Sequence, residues 1–184
     1  DSAADKSTYT NAGSVKTTGL ELEAGTAPFM GGFTAYASFT AQSSELQDNI
    51  TVAKGQTLPT SGKQFTLTPD RMVGASLQYN NGPFYARLKL KHTGRQYATL
   101  LNDEEVPAYT TGDFDAGYNF GNFGMLSNVQ LRFNISNITD AQYRNPNSGS
   151  VVNAVQYGAT APGTVSYYLG APRFAAISLS ADFK

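Results

Sequence analysis

Apolar and polar residues alternate with period two in many parts of the chain. In "FTAYASFTAQ", at residues 33–42, every second residue is Phe or Ala, and the closing stretch "RFAAISLSADFK" repeats the pattern. Successive side chains of a strand point to opposite faces. Ile177, Leu179 and Phe183 therefore fall on one side of the last strand, with Ser178 and Asp182 on the other. The pattern predicts strands that are apolar on one face only.

Seven segments carry this alternation, and each is bounded by Gly, Pro, Asn or Asp. They cover residues 16–24, 33–42, 72–79, 84–91, 109–120, 128–136 and 173–184. The chain lacks the run of about 18 apolar residues that a membrane-spanning helix needs. A strand that crosses a membrane needs only about 10 residues and is apolar on one face. The sequence therefore predicts an all-β antiparallel fold.

Short and long connections alternate strictly between the predicted strands. The short ones lie near Gly25, Asn80 and Gly121, and the long ones cover residues 43–70, 95–107 and 137–171. Outer-membrane barrels have short turns on the periplasmic side and long loops on the outside. A soluble β-sandwich has no reason to keep this asymmetry, so the pattern favours a transmembrane β-barrel.

The polar face carries charges in the middle of strands, which a water-filled lumen tolerates. Arg87, Lys89 and Lys91 alternate with apolar residues in the fourth strand. We expect the fourth and fifth strands to pair so that lysines face aspartates, which is worth a few tenths of a kcal/mol per pair. The expected pairs are Phe84 with Phe120, Lys89 with Asp115, and Lys91 with Asp113.

Aromatic residues gather where the short turns meet the strands, as in the aromatic girdles of membrane barrels. The alternative is the ordinary preference of Phe and Tyr for strands. The residues are Phe29, Phe33, Tyr79, Phe84, Tyr118, Phe120 and Phe123.

An odd number of strands does not close a single-chain bacterial barrel, which has an even number of at least about 8. We therefore expect the chain to be the C-terminal part of a larger barrel, with residues 1–14 in an extracellular loop. The alternative is a complete small barrel, with a further strand hidden in residues 43–70 or in "VVNAVQYGAT".

Three stretches together resemble the C-terminal barrel of TonB-dependent outer-membrane receptors. They are "NAGSVKTTGLELEAGT", "VPAYTTGDFDAGYNF" followed by "LRFNISNITDAQYRNP", and "YYLGAPRFAAISLSADF". Asn137, Asp140 and Tyr143 match the family's residues after the penultimate strand, and the closing stretch contains Gly170, Pro172 and Arg173. Lys184 departs from the family's habit of ending on an aromatic residue.

The resemblance implies a plugged barrel of about 22 strands, of which residues 1–184 supply about the last seven, in one domain. It implies import of a scarce nutrient, a ferric siderophore first, across the outer membrane of a Gram-negative bacterium. The expected partners are the TonB complex, through a plug domain outside this chain, the lipid bilayer, lipopolysaccharide, the barrel assembly machinery and the nutrient ligand. No cofactor is expected.

Composition argues against enzymatic, metal and nucleic-acid chemistry. The net charge is −1, whereas nucleic-acid binding needs a clustered basic face. His92 is the only histidine and no cysteine is present, so a triad or a metal cluster lacks partners. His92 lies two positions after Leu90 and therefore falls on the apolar face of its strand, where we expect an interface residue. We interpret the run from Asp103 to Glu105 as a solvated acidic loop. The alternative is a site that holds a divalent ion or bridges to lipopolysaccharide through one.

The candidate ligand-binding residues are Gln96, Tyr97 and Tyr109, at the bases of the long loops, although these side chains would equally well finish strands. Phe183, Ile177 and Leu179 are the candidates for membrane anchoring and barrel assembly. Carbohydrate and cobalamin receptors stay open as alternatives. So do a passive porin or structural barrel and, outside the membrane, a soluble β-sandwich binding module.

Overall fold

The structure, a computed structural model, describes residues 13–52 and 55–183. The strands in chain order are β1 (Val15–Gly25), β2 (Phe33–Leu46), β3 (Ile50–Thr51), β4 (Thr57–Leu58), β5 (Arg71–Asn81), β6 (Phe84–Thr93), β7 (Gln96–Tyr97), β8 (Glu105–Val106), β9 (Tyr109–Phe123), β10 (Leu126–Ser136), β11 (Arg144–Pro146), β12 (Tyr167–Leu169) and β13 (Phe174–Phe183). No helix among these residues is both long and apolar enough to cross a membrane.

The seven long strands form one antiparallel sheet in the order β1-β2-β5-β6-β9-β10-β13, which confirms the predicted all-β fold. The short strands pair only with each other, as β3-β4, β7-β8 and β11-β12. In the described part of residues 43–70 and in residues 151–160, no segment joins the main sheet as an eighth strand. The prediction that residues 1–14 form an extracellular loop concerns a segment of which only residues 13 and 14 are among the described residues. Lys184 also lies outside them.

The strand register gives the sheet one apolar face and one polar face, because directly paired residues share a face. One apolar row consists of Phe33, Tyr79, Ala86, Ala116, Phe133 and Ile177. The adjacent row on the other face consists of Thr34, Gln78, Arg87, Asp115, Asn134 and Ala176. Large side chains on the apolar face are open to the surroundings, with Leu20 54% and Leu22 55% exposed. An apolar surface of this extent marks contact with a membrane or another protein.

The predicted register between β6 and β9 is wrong by two residues. Phe84 lies opposite Tyr118, so Arg87 faces Asp115 and Lys89 faces Asp113. A shift of two residues keeps every side chain on its own face, so the alternation pattern cannot detect it. The carboxylates bond elsewhere: Asp113 accepts the backbone N–H of Asn137 at 3.1 Å.

The aromatic residues near the short turns meet in two groups. Phe33 and Tyr79 have ring centroids 4.6 Å apart, with Phe29 and Phe84 on either side of them. On the next hairpin, the ring centroids of Tyr118 and Phe120 are 4.8 Å apart. The predicted clustering is confirmed, and its role as a membrane girdle stays a prediction.

The buried apolar side chains lie among the long loops rather than on the sheet, since the described residues place no second layer on either face of the sheet. The long connections pack together at one end of the sheet, and we call this region the loop layer. Its buried apolar side chains are Leu46 at the end of β2, Leu58, Ala98, Leu100, Leu101 and Val106.

Candidate functional site

Asp103 holds two of the long loops together. Its carboxylate accepts hydrogen bonds from Thr99 Oγ1 at 2.6 Å and from the backbone N–H groups of Ala154 at 3.0 Å and Val155 at 2.9 Å. Partial desolvation raises the pKa of Asp103, but these hydrogen bonds outweigh it and leave the pKa below its ordinary value. The carboxylate therefore stays charged and fixes residues 99–103 against residues 154–155.

Asn102 extends this connection to the third long loop. Its side-chain oxygen accepts the N–H of Gln64 at 2.7 Å, and its amide donates to the carbonyl of Gln64 at 2.8 Å. The residue has φ of 56°, which asparagine tolerates better than most residues. We call residues 99–103 the loop clip, because they join all three long loops of the layer.

The neighbouring acidic residues are also engaged in contacts within the protein. Glu104 accepts a hydrogen bond from Tyr167 Oη at 2.6 Å and pairs with Arg144 at 3.1 Å, while Glu105 lies 3.9 Å from Arg95. Desolvation, with Glu104 next to the phenol, raises the pKa of Tyr167 to about 12. Asp103 and Glu105 are solvent-exposed, as the prediction of a solvated acidic loop requires, and the contacts within the protein are an addition that the sequence does not show. Within the described residues, no group of three or more His, Cys, Asp or Glu side chains could hold a metal ion.

The residues after β10 form a compact turn around Asn137, whose side chain is buried. Its amide donates to the carbonyls of Ala141 and Ala171 at 3.0 Å each, and its side-chain oxygen accepts from Ala141 N–H at 3.0 Å and Thr139 Oγ1 at 3.0 Å. The carbonyl of Ala171 belongs to the segment that enters β13. Asn137 thus ties the exit of β10 to the start of the neighbouring strand.

Tyr143 and Gly170 complete this connection. A side chain at Gly170 would overlap the Tyr143 ring, which leaves glycine as the residue that fits. The ring of Tyr143 stacks on Tyr109, with centroids 4.2 Å apart and planes 11° from parallel. Arg173 also pairs with Asp140 at 3.3 Å. Asn137, Asp140, Tyr143, Gly170 and Arg173, five of the residues that carried the resemblance, therefore lie in one connection at the base of the loop layer.

A pocket of about 370 Å³ opens beside the stacked tyrosines. Its walls come from residues 106–108 and from the turn that leads into β11, and include Tyr109, Tyr143, Arg144 and Leu169. The guanidinium of Arg144 lies 4.3 Å from the centroid of the Tyr167 ring. Aromatic walls with one oriented cation are typical of small-molecule sites. This aromatic pocket is the candidate ligand-contact region of the loop layer.

The predicted ligand residues differ in their surroundings. Tyr109 lines the aromatic pocket, and its hydroxyl donates to Asn145 Oδ1 at 3.2 Å. Tyr97 is half-buried in β7, whereas Gln96 is only 6% exposed, so a ligand would reach it only if the loops moved. Ligand contact at these three positions stays a prediction. Tyr143 and Arg144 were missed as ligand candidates, because only the folded loop brings them to Tyr109.

The predicted anchoring residues lie on the apolar face of β13. Phe183, Ile177 and Leu179 are exposed to 83%, 73% and 71%. Among the described residues β13 pairs only with β10, through Leu179 opposite Leu131 and Ile177 opposite Phe133. Anchoring and assembly by these residues stay predictions. His92 lies on the apolar side, as parity predicted, and its Nδ1 is 2.9 Å from Thr110 Oγ1.

A two-faced antiparallel sheet with short turns at one end and packed loops at the other defines the wall of a β-barrel. The chain belongs to the TonB dependent receptor-like, beta-barrel family, whose model matches residues 1–138. This is a family of receptors rather than of enzymes.

Individual relatives agree with this assignment. The chain is 28% identical over 137 residues to a ferrioxamine receptor of Yersinia enterocolitica, across 73% of this chain and 18% of that protein. The siderophore receptor PiuA of Acinetobacter baumannii matches 92% of this chain and 22% of its own, with TM-score 0.68 and 22% identity. The ferric yersiniabactin uptake receptor FyuA of Yersinia pestis matches 94% of this chain over 24% of its own length, with TM-score 0.65 and 18% identity. The chain thus spans about a fifth to a quarter of the length of these relatives.

Proposed function

We propose that this chain forms part of the barrel wall of a TonB-dependent receptor that imports a ferric siderophore across the outer membrane of a Gram-negative bacterium. The observation that carries the proposal is the family match over residues 1–138, together with the identity to a ferrioxamine receptor. The structural relatives are named as siderophore and ferric-yersiniabactin receptors and point to the same class of cargo.

The two faces of the sheet give the proposal its physical basis. The apolar face, with Leu20, Leu22 and Leu77 about half exposed, contacts lipid. The polar face, with Arg87, Asp115 and Asn134 in one row, faces the water-filled interior. In this arrangement the seven strands are the C-terminal segment of one barrel domain, and the plug and the TonB contact lie outside this chain.

The loop layer contributes to ligand capture in this proposal. Tyr109 and Tyr143 form one wall of the aromatic pocket, and Arg144, whose charge is paired with Glu104, also lines it. Stacked tyrosines present a rigid apolar surface to a large ligand, and the guanidinium N–H groups that Glu104 leaves free can donate to its oxygen atoms. The loop clip keeps the loops above the pocket in one arrangement.

Transport of labelled iron tests the function. A strain that lacks the receptor gene, complemented with the wild-type gene or left uncomplemented, is grown under iron limitation with one ferric siderophore at a time. We expect ⁵⁵Fe uptake from at least one siderophore only in the complemented strain, and none when TonB is deleted. Equal uptake with and without the receptor for every siderophore supplied would exclude this class of cargo.

The aromatic pocket is tested in the same strain. Tyr109→Ala should weaken the apparent affinity for the transported siderophore about tenfold, because the substitution removes one wall of the pocket and the stacking partner of Tyr143. Tyr157→Ala, in the same loop layer but outside this pocket, is the matched control. Unchanged affinity in Tyr109→Ala, with normal receptor levels, would remove the pocket from the proposed site.

A further inference from the structure

Three side chains share one face of the β11–β12 hairpin, next to the aromatic pocket. Arg144 lies opposite Leu169 in the strand register, and directly paired residues share a face. Tyr167 lies two residues before Leu169 and therefore falls on the same face, where its ring packs against the guanidinium of Arg144. Arg144 and Leu169 both line the pocket. The hairpin thus presents Arg144 to the pocket on an aromatic support.

Glu104 reaches this face from another long loop. Its Oε1 atom accepts a hydrogen bond from Tyr167 Oη at 2.6 Å and another from Arg144 Nη2 at 3.1 Å. The backbone carbonyl of Glu104 accepts the N–H of Ala98 at 2.9 Å, which extends the β7–β8 ladder by one residue pair. One carboxylate oxygen therefore orients two side chains of the hairpin, and the ladder holds that carboxylate in place.

The contact between Glu104 and Arg144 decides the charge of the pocket wall. Among the described residues that line the pocket, Arg144 is the only one with a charged side chain. Glu104 lies 3.1 Å from its guanidinium and cancels most of that positive charge. An anionic group that approaches Arg144 is therefore also repelled by Glu104. A ligand group that has oxygen atoms but no net charge meets no such repulsion, and it can accept from the guanidinium N–H groups that Glu104 leaves free.

The two acidic residues beside Glu104 are engaged elsewhere. Glu105 lies 3.9 Å from Arg95, and successive residues of an extended segment point to opposite sides. Asp103 accepts hydrogen bonds from the backbone of residues 154 and 155 in the loop clip. Glu104 is thus the one of these three carboxylates that pairs with a residue of the pocket wall.

We propose that Glu104 is a specificity-determining residue of the receptor, which disfavours anionic ligand groups at the aromatic pocket relative to uncharged groups that carry oxygen atoms. The proposal rests on the proposed function for the identity of the ligand as a ferric chelate, and it assigns the part of that chelate in this pocket to the uncharged class. The rest of the receptor adds its own charges to the complete site. Those charges are the same in the wild type and in a variant at position 104, so they cancel when the two are compared.

The reactivity of a cysteine at the pocket wall measures this charge without any ligand. The chain has no cysteine, and Leu169→Cys introduces one opposite Arg144. The purified full-length receptor in detergent is treated with an anionic, an uncharged or a cationic methanethiosulfonate, and the rate of the receptor without this cysteine is subtracted. We expect Glu104→Gln to speed the anionic reagent about threefold relative to the uncharged one and to slow the cationic reagent about threefold. High salt should reduce both changes.

Matched variants separate the charge from the loop structure. Glu105→Gln removes the same charge at the next residue and should change each rate less than about twofold. Arg144→Gln leaves Glu104 uncompensated, so it should slow the anionic reagent, and it tests the same pair with the opposite sign if Glu104→Gln does not fold. The double variant Glu104→Gln/Arg144→Gln should return close to the wild-type rates. Equal changes in Glu104→Gln and Glu105→Gln, or one common change for all three reagents, would overturn the proposal.

Uptake connects the charge to the cargo. Ferric citrate is the anionic chelate of the ⁵⁵Fe assay and ferrichrome the uncharged one, both supplied below saturation. Glu104→Gln should raise uptake of the anionic chelate relative to the uncharged one about threefold, in line with the cysteine rates. No rise in this ratio would overturn the role in specificity. If the wild-type receptor takes up no ferric chelate at all, the proposed function itself fails, whereas the cysteine rates still decide whether Glu104 sets the charge of the pocket.

Discussion

Removal of the Asp103 carboxylate should release the loop layer. The carboxylate accepts hydrogen bonds from Thr99, Ala154 and Val155, and the last two lie on a different loop. A hydrogen bond to a charged group contributes about 1.5–3 kcal/mol when desolvated, and less when water can replace it. Because Asp103 is solvent-accessible, we discount the sum to about 2 kcal/mol for Asp103→Ala. That value corresponds to a rise of about 30-fold in the equilibrium constant for opening of the loops.

Hydrogen exchange of the purified receptor in detergent measures this opening. Peptides that cover residues 98–104 and 150–156 should lose protection in Asp103→Ala, and those of β6 and β9 should not. Asp140→Asn is the control, because it breaks an exposed ion pair with Arg173 and leaves the loop clip intact. Unchanged protection of residues 150–156 in Asp103→Ala would refute the reasoning.

The pH dependence of the same interaction has a definite sign. The folded-state pKa of Asp103 is lowered, so its contribution is complete above the unfolded pKa of about 3.9. The contribution is lost as the pH falls through the lower, folded-state pKa. Loop opening in Asp103→Ala should therefore lack this acid-dependent step.

Three further predictions concern the base and the side of the loop layer. Gly170→Ala should lower the urea midpoint of the receptor, by about 1–3 kcal/mol in unfolding free energy, because the new methyl group overlaps Tyr143; an unchanged midpoint would contradict the contact. Asn137→Ala should lower the unfolding free energy by about 2–3 kcal/mol in the same assay, because the side-chain hydrogen bonds are lost. Asn137→Gly should recover only a minor part of that loss, because glycine tolerates the φ of 51° but makes none of the hydrogen bonds. The phenol of Tyr167 should ionise near pH 12 in the absorbance difference between wild type and Tyr167→Phe. Because that pKa is raised, its stabilising contribution is complete below about pH 10 and is lost as the pH rises through 12; ionisation near pH 10 would contradict the contact with Glu104.

The long strands could be predicted because alternation extends over eight or more residues in each of them. The strands β3, β4, β7 and β8 have two residues each, which is too short for a period to show. The register of β6 against β9 was missed for a different reason, since alternation reports the face of a residue but not its partner. Pairing Phe84 with Phe120 rather than Tyr118 keeps both faces intact.

The candidate site was less accessible to sequence reasoning. The hydrogen bonds of Asp103 could not be predicted, because its partners include backbone N–H groups at residues 154 and 155, about fifty positions away. Backbone donors leave no trace in the sequence. Tyr109 was predicted as a ligand residue, but its stacking partner Tyr143 was recognised only as part of a motif.

The assignment of one face to lipid and the other to water is tested most directly by a spin-label scan of β5. The chain has no cysteine, so single cysteines can be placed in this segment one at a time. In outer membranes, labels at Ala75 and Leu77 should collide with oxygen, which dissolves in lipid. Labels at Ser76 and Gln78 should collide with a water-soluble nickel complex instead. Strict alternation is the predicted result, and equal access of the nickel complex to all four positions would contradict the barrel-wall account.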